Sequence, residues 1–329
     1  MYTTIGNIQL KNCIMNAAGV RCTTNEDLQA LNTSAGGAII TKSCTLLSRQ
    51  GNPLPRYYDN DMLSINSSGL PNLGYNFYME LPSKYDFVKP YIISVSGLSY
   101  DDNIHIIEDI CKRHHINGDI NGDINGDING DINGHGRIAG IELNLSCPNI
   151  NGKSQTGYNF EEMDRLLNAV NELISPLTDF HFGIKLPPYF DIYHFTTAAN
   201  IINKYNIDSI TCINSLGNGL VVDPETETIV IKPQNGFGGI GGKAIKATAL
   251  ANVHKFATLT KCSIIGCGGI SNGMDVFEHI LCGASAVQIG TELYKDAGAI
   301  KRITVEFTNI MRLKGYTNIS HIKNQLKKI

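Results

Sequence analysis

The chain has no tryptophan, no CxxC pair, no apolar run of membrane-spanning length and no excess of basic residues. The missing tryptophan excludes nothing; the other absences do. Without CxxC spacing there is no framework for a zinc ribbon or an iron–sulfur cluster. Nine cysteines, an odd number at scattered positions, do not make a disulfide scaffold. They read as small buried hydrophobes in a reducing compartment. A net charge of −3 supplies no positive field for nucleic acid. A spanning helix needs about 20 apolar residues in a row, and none occurs. The N-terminus, Met1-Tyr2-Thr3-Thr4-Ile5-Gly6, leads almost directly into the first apolar segment, without room for a transit peptide or amphipathic anchor. A soluble cytoplasmic protein is expected, with neither nucleic acid nor membrane as a partner.

What is present is strand–helix alternation. Apolar segments fall at Cys13–Ala18, Ala38–Ser43, Ile92–Gly97, Gly140–Ser146, Phe182–Leu186, Ser209–Ser215, Ser263–Cys267 and Ala286–Gly290. Several are continuous apolar runs, as in parallel strands buried on both faces. Helical spacing lies between them: Ile104–Arg113, Phe160–Ile174, Ala198–Lys204, Ala247–Leu259 and Met274–Leu281. Eight such repeats over 329 residues predict one (β/α)8 TIM barrel domain spanning 1–329. A doubly wound sheet is the other architecture this alternation permits. Two connections are long for such a fold. One runs from Thr45 to Pro90; the other runs from Leu216 to Lys246, with a hairpin expected at Val221-Val222 and Ile229-Val230-Ile231. Both follow strand C-termini, so they are read as loop insertions at the active edge.

One segment has low complexity. Asn-Gly-Asp-Ile repeats every four residues through 117–134. Its Asp and Asn invite a calcium reading, but the spacing fits neither an EF-hand loop nor a nine-residue β-helix repeat. No metal is expected. The repeat reads as a solvated insertion on the face opposite the active edge.

Barrel enzymes build their sites at strand C-termini, and this chain's chemistry gathers there. Asn144-Leu145-Ser146-Cys147-Pro148-Asn149 follows the fourth strand. Gly268-Gly269 and Gly290-Thr291 follow the seventh and eighth. Glycine turns at those two strands let backbone N–H groups approach a phosphate, with a helix N-terminus behind. Lys42 and Lys185 stand near the ends of buried strands, where a lysine needs a counter-charge or an anionic ligand. A Schiff-base role is the alternative. The amides of Asn66, Asn72, Asn144, Asn149 and Asn214 suit a ligand that alternates carbonyl and N–H groups, such as a pyrimidine. Cys147 is open to three readings: nucleophile, inert thiol, or general base with a raised thiolate fraction.

Together these residues resemble the dihydroorotate dehydrogenase family, most closely its soluble class 1A branch. The resemblance runs from Ile8 to the C-terminus, interrupted by the repeat. It is carried by Thr-Lys-Ser (41–43), Gly-Asn-Pro-Leu-Pro-Arg-Tyr (51–57), Ser-Ile-Asn-Ser-x-Gly-Leu-Pro-Asn (64–72) and Asn-Leu-Ser-Cys-Pro-Asn (144–149). Lys-Leu-Pro-Pro-Tyr-Phe (185–190), Asn-Ser-x-Gly-Asn-Gly-Leu (214–220) and Gly-Phe-Gly-Gly-Ile-Gly-Gly (236–242) add to it. The resemblance implies oxidation of (S)-dihydroorotate to orotate in pyrimidine biosynthesis. FMN would accept the hydride and fumarate would be the terminal acceptor, reduced to succinate, in a homodimer. Cys147 would take the C5 proton. Lys42, Asn66, Ser67, Ser68, Gly69, Leu70, Asn144, Asn149, Asn214 and Ser215 would hold the substrate. Ala18, Gly19, Lys42, Ser43, Asn144, Lys185, Ile213 and Gly242 would line the flavin, with Lys185 at its N1/O2 edge. Gly268, Gly269, Gly290 and Thr291 would hold its phosphate. Two positions depart from the pattern: Ser68 stands where relatives often carry Met, and Cys267 replaces a more usual Thr. Two other activities fit the residues less fully: a flavin barrel reducing another pyrimidine, and a barrel binding phosphate ligands without redox chemistry.

Overall fold

A computed structural model describes residues 1–122, 137–146, 155–327 and 329, with 115–122 described by backbone alone. Eight parallel strands form its centre: β1 (Ile14–Asn16), β2 (Ile39–Ile40), β3 (Tyr91–Val95), β4 (Ile138–Asn144), β5 (His181–Leu186), β6 (Ser209–Cys212), β7 (Ser263–Cys267) and β8 (Ala284–Ile289). They pair in the order β1-β8-β7-β6-β5-β4-β3-β2. Each strand except β1 therefore lies beside its predecessor or successor in the chain, and β8 pairs back to β1. That order makes the TIM barrel and excludes the doubly wound sheet, whose order reverses part-way. β3 and β5 are buried at every position, as strands covered on both faces must be.

A side chain closes the seam between β1 and β2. Asn16 donates from Nδ2 to the Ile40 carbonyl (2.7 Å) and accepts the Ile40 N–H on Oδ1 (3.0 Å). One amide thus supplies both bonds of a missing ladder step.

The helix Phe160–Ile174 has the expected bounds. Asn159 caps it by accepting the Glu162 N–H, and Met163, Leu166, Leu167, Val170 and Ile174 are its buried stripe. The segment expected at Ala198–Lys204 is a longer helix, Ile192–Ile202, because Asp191 caps it from the His194 N–H. Helices Lys246–Leu259 and Gly273–Leu281 lie within a residue of expectation. The helix that begins at Tyr100 continues to Gly122, so the first residues of the Asn-Gly-Asp-Ile repeat are helical. The rest of the repeat lies outside the described residues.

The two long connections are more ordered than their glycine and proline content suggests. Tyr57–Asp59 and Ser64–Asn66 from the first join Leu216–Leu220 and Phe237–Gly241 from the second in one four-stranded antiparallel sheet. The expected hairpin is present at Val222–Asp223 and Thr228–Ile229. The first connection also holds a helix, Tyr75–Lys84, despite Pro82. Proline cannot donate to the Tyr78 carbonyl four residues back; the Tyr91 hydroxyl donates to it instead, at 3.1 Å. At the opposite mouth, an N-terminal hairpin (Thr3–Ile5, Ile8–Leu10) is tied to the barrel by Thr3 Oγ1 to the Ser285 carbonyl and by the Gly6 N–H to Ser263 Oγ.

Candidate active site

The strand C-termini open into a cavity of about 410 Å³. Ala18 and Gly19 after β1, Lys42 and Ser43 after β2, Asn144 and Ser146 at β4, and Lys185 on β5 line it. So do Ile213, Asn214 and Ser215 after β6, Gly268 and Gly269 after β7, and Gly290 and Thr291 after β8. The overlying sheet adds Asn66, Ser68, Leu70 and Gly242. Residues from the whole length of the chain therefore converge on one space.

Ser67 and Gly69 do not line it. Ser67 is fully buried; its N–H donates to the Arg56 carbonyl and its own carbonyl accepts from Asn52. Gly69 has φ +70°, and a Cβ there would meet the Asn52 side chain at 2.4 Å. Both shape the loop that presents Ser68 and Leu70. Cys147 and Asn149 lie outside the described residues. Asn72, expected among the ligand amides, is a turn staple. Its Oδ1 accepts the Thr45 and Gly74 N–H groups, and its Nδ2 donates to Thr45 Oγ1 and the Leu70 carbonyl.

Asn144 and Asn214 brace each other where β4 and β6 end. Asn214 Nδ2 donates to Asn144 Oδ1 (3.2 Å) and to the Ser146 carbonyl (2.6 Å), while Asn144 Oδ1 also accepts the Ser146 N–H. Ser146 Oγ donates to Gln155. The clasp fixes the residue directly before Cys147.

At the other end, the N–H groups of Gly268, Gly269 and Gly290 have no acceptor among the described residues. Gly268 and Gly269 have φ +124° and +75°, and a Cβ on Gly269 would meet Lys246 Cβ at 2.3 Å. The Gly268 carbonyl accepts from His279 Nε2 at 3.1 Å. A concave run of unpaired N–H groups is an anion cradle. The expected helix N-terminus behind it is otherwise engaged. Asn272 accepts the Met274 and Asp275 N–H groups, and Glu306 accepts that of Gly273. The donors for an anion are thus the turns themselves and the uncapped start of Thr291–Lys295.

Lys42 and Lys185 are both buried. A Cβ on Gly19 would lie 3.1 Å from Lys42 Nζ, so the glycine makes room for that ammonium. Burial drives Lys185 down, but the neighbouring Cys267 and Glu142 outweigh it and hold the ammonium above its ordinary value. Lys185 donates to Gln288 (2.8 Å), itself bonded to Glu142 (2.6 Å). Sequence reading missed Glu142, Thr211 and Gln288. A buried charge within an apolar strand was the available signal. At the rim, Ser64 Oγ meets Thr291 Oγ1 (2.7 Å), Lys295 pairs with Asp59 (3.0 Å), and the Tyr57 and Tyr294 rings lie 4.2 Å apart in a tilted contact. These contacts pin the overlying sheet to the helix Thr291–Lys295.

The family model described as dihydroorotate dehydrogenase matches residues 1–311. The chain belongs to the dihydroorotate dehydrogenase family. It is 45% identical, over the full length of both chains, to a Lactococcus lactis protein named dihydroorotate dehydrogenase A (fumarate). It is 47% identical to a protein of Streptococcus agalactiae over 99% of this chain and 98% of that one. A solved structure of DHODH from Eimeria tenella, in complex with ferulenol, has a TM-score of 0.75 over 98% of this chain and 88% of the other. At 17% identity that likeness shows the shared barrel. The family makes the chain a flavin-dependent oxidoreductase. No helix among the described residues is long and apolar enough to cross a membrane.

Proposed function

We propose that the chain oxidises (S)-dihydroorotate to orotate in the cytoplasm, in de novo pyrimidine biosynthesis, with FMN as its flavin and fumarate as terminal acceptor. The observation that carries this is one cavity with two chemically distinct ends. One end has unpaired N–H groups at Gly268, Gly269 and Gly290. The other has Lys42, Asn66 and Asn144 beside Ser146, the residue before Cys147. The first end fits a phosphate, and the second fits a carboxylated pyrimidine. FMN, when bound, supplies the two-electron acceptor. Gly268, Gly269, Gly290 and Thr291 would hold its phosphate. Ala18, Gly19, Ser43, Ile213 and Gly242 would enclose the ring, and Lys185 would offset negative charge on its reduced form.

Lys42 supplies the charge for the substrate carboxylate. Asn66, Asn144, Asn149, Asn214 and Ser215 supply hydrogen bonds, and Ser67 to Leu70 supply the covering loop. Cys147 removes a proton from carbon as general base. The names of the Lactococcus relatives support fumarate. A homodimer is proposed, and the exposed Leu220, Val222, Ile229 and Phe237 on the second long connection are apolar surface suited to a second copy; sedimentation velocity checks it. The chain is proposed as one domain, 1–329, with the repeat a tolerated insertion. Deleting 123–134 should leave turnover unchanged.

The test is substrate choice. Dihydroorotate should be oxidised and dihydrouracil, which lacks the carboxylate, should not. Lys42→Met should raise KM for dihydroorotate by about 10–100-fold through loss of a charge-assisted bond. Equal use of both substrates would contradict the reading.

A further inference from the structure

Four side chains from four strands meet inside the barrel beneath the cavity. Lys185 Nζ (β5) donates to Gln288 Oε1 (β8) at 2.8 Å, and Gln288 Nε2 donates to Glu142 Oε2 (β4) at 2.6 Å. Thr211 Oγ1 (β6) donates to the same carboxylate oxygen at 2.7 Å. β4 and β8 are not neighbours, so this contact crosses the interior. All four residues are more than nine-tenths buried, with Glu142 3% and Gln288 0% exposed. Barrel interiors are ordinarily filled by branched apolar side chains, so a charged cluster there needs a reason.

The donors and acceptors allow one arrangement. A carboxylate only accepts and an ammonium only donates. The Gln288 NH2 must therefore face Glu142, and its carbonyl must face Lys185. Lys185 and Gln288 line the cavity, while Glu142 and Thr211 lie behind them. Glu142 Oε1 has no partner among the described residues. A buried carboxylate with an orphaned oxygen is costly, so its hydrogen bonds alone do not account for it. Its charge does: against burial, which drives the Lys185 ammonium down, the groups that hold it up are Cys267 from β7, Glu142 from β4 and Cys22 after β1. Of these, Glu142 is the carboxylate.

We propose that Glu142, braced by Thr211 and acting through Gln288, is a positioning residue that keeps Lys185 protonated and aimed into the cavity, and so sets the protein's affinity for flavin. The affinity part rests on the cavity being the FMN site; the protonation part does not. Glu142 touches no ligand in this scheme.

The test uses the full chain labelled with [6-13C]lysine, the Lys185 signal being assigned by its loss in Lys185→Met. In the unaltered protein that signal should keep its charged position to higher pH than an ordinary lysine does. Glu142→Gln should release the proton about 100-fold more readily, and Glu142→Asp should restore most of the difference. A change below about threefold would overturn the proposal. Should Glu142→Gln not fold, Gln288→Met carries the test, with about a tenfold change expected and none overturning it. In FMN titrations, Glu142→Gln and Lys185→Met should each weaken binding about tenfold, and the double variant should be no worse than Lys185→Met. Losses that multiply would show that Glu142 does not act through Lys185. If the unaltered protein takes up no FMN, the functional reading fails, yet the lysine titration still decides the role of Glu142.

Discussion

Lys42, Asn144 and Lys185 stand at or near the ends of three strands and line one cavity, and their positions in the chain announced them. A lysine inside an apolar run is costly unless something anionic meets it, which makes such residues readable without coordinates. Their support is not readable in that way. Gln288 and Glu142 are 146 positions apart, and only barrel closure brings them together. Amides were ambiguous for a related reason. Asn72 and Asn144 are the same residue type near similar turns, yet one staples a loop and the other lines the cavity. The distinction lies in which backbone groups each fold region leaves unpaired. At this scale the proposal is tested most sharply at Cys147. Cys147→Ala should leave FMN bound and slow flavin reduction by dihydroorotate about 10²–10⁴-fold, the usual worth of a general base. An ordinary thiol titrates near about 8.5, so reduction in the unaltered protein should quicken as pH rises toward that value. Stopped-flow reduction checks both, and an unimpaired Ala variant would remove Cys147 from the role.

The helix Phe160–Ile174 was legible because one-sided burial imposes a period on the sequence, and the barrel strands because burial on both faces makes them short apolar runs at regular alternation with helices. The overlying sheet was not. Its strands are short, Leu216–Leu220 and Phe237–Gly241 are glycine-rich, and one pairing, that of Gly239 with Asn66, joins the two distant connections. The helix Tyr75–Lys84 was hidden by Pro82, whose cost is relieved by a tertiary partner, Tyr91. Seam closure likewise belongs to one side chain rather than to a pattern. Asn16→Ala should leave the Ile40 N–H and carbonyl unpaired and destabilise the protein by about 2–4 kcal/mol, the cost of two buried unsatisfied groups. Urea denaturation would show this. Unchanged stability would mean that packing and the Gly37 N–H to Ile14 carbonyl bond suffice to hold β1 and β2 together.

Across the whole molecule, the site stands at the C-terminal mouth, and the other mouth is closed by the N-terminal hairpin. Two fully buried histidines lie within this frame: His181 at the start of β5, and His279, bonded to the Gly268 carbonyl. Burial lowers His181 to about 3 and His279 to about 4, from an ordinary 6.5. Both are neutral when folded, so the unfolded chain binds more protons below pH 6.5. Their contribution is complete above that pH and is lost as pH falls from 6.5 toward 4 and 3. Unfolding midpoints should decline over that window, and more gently in His279→Gln. An equal decline would assign the acid sensitivity to other groups. The central claim, a flavin cavity that takes electrons from dihydroorotate and gives them to fumarate, has a direct measurement: the anaerobic absorbance spectrum of the purified protein before dihydroorotate, after it, and then after fumarate. The account predicts a yellow flavin band that bleaches with the first and returns with the second. A protein without that band even after FMN is added, or a band that dihydroorotate leaves unbleached, would contradict it.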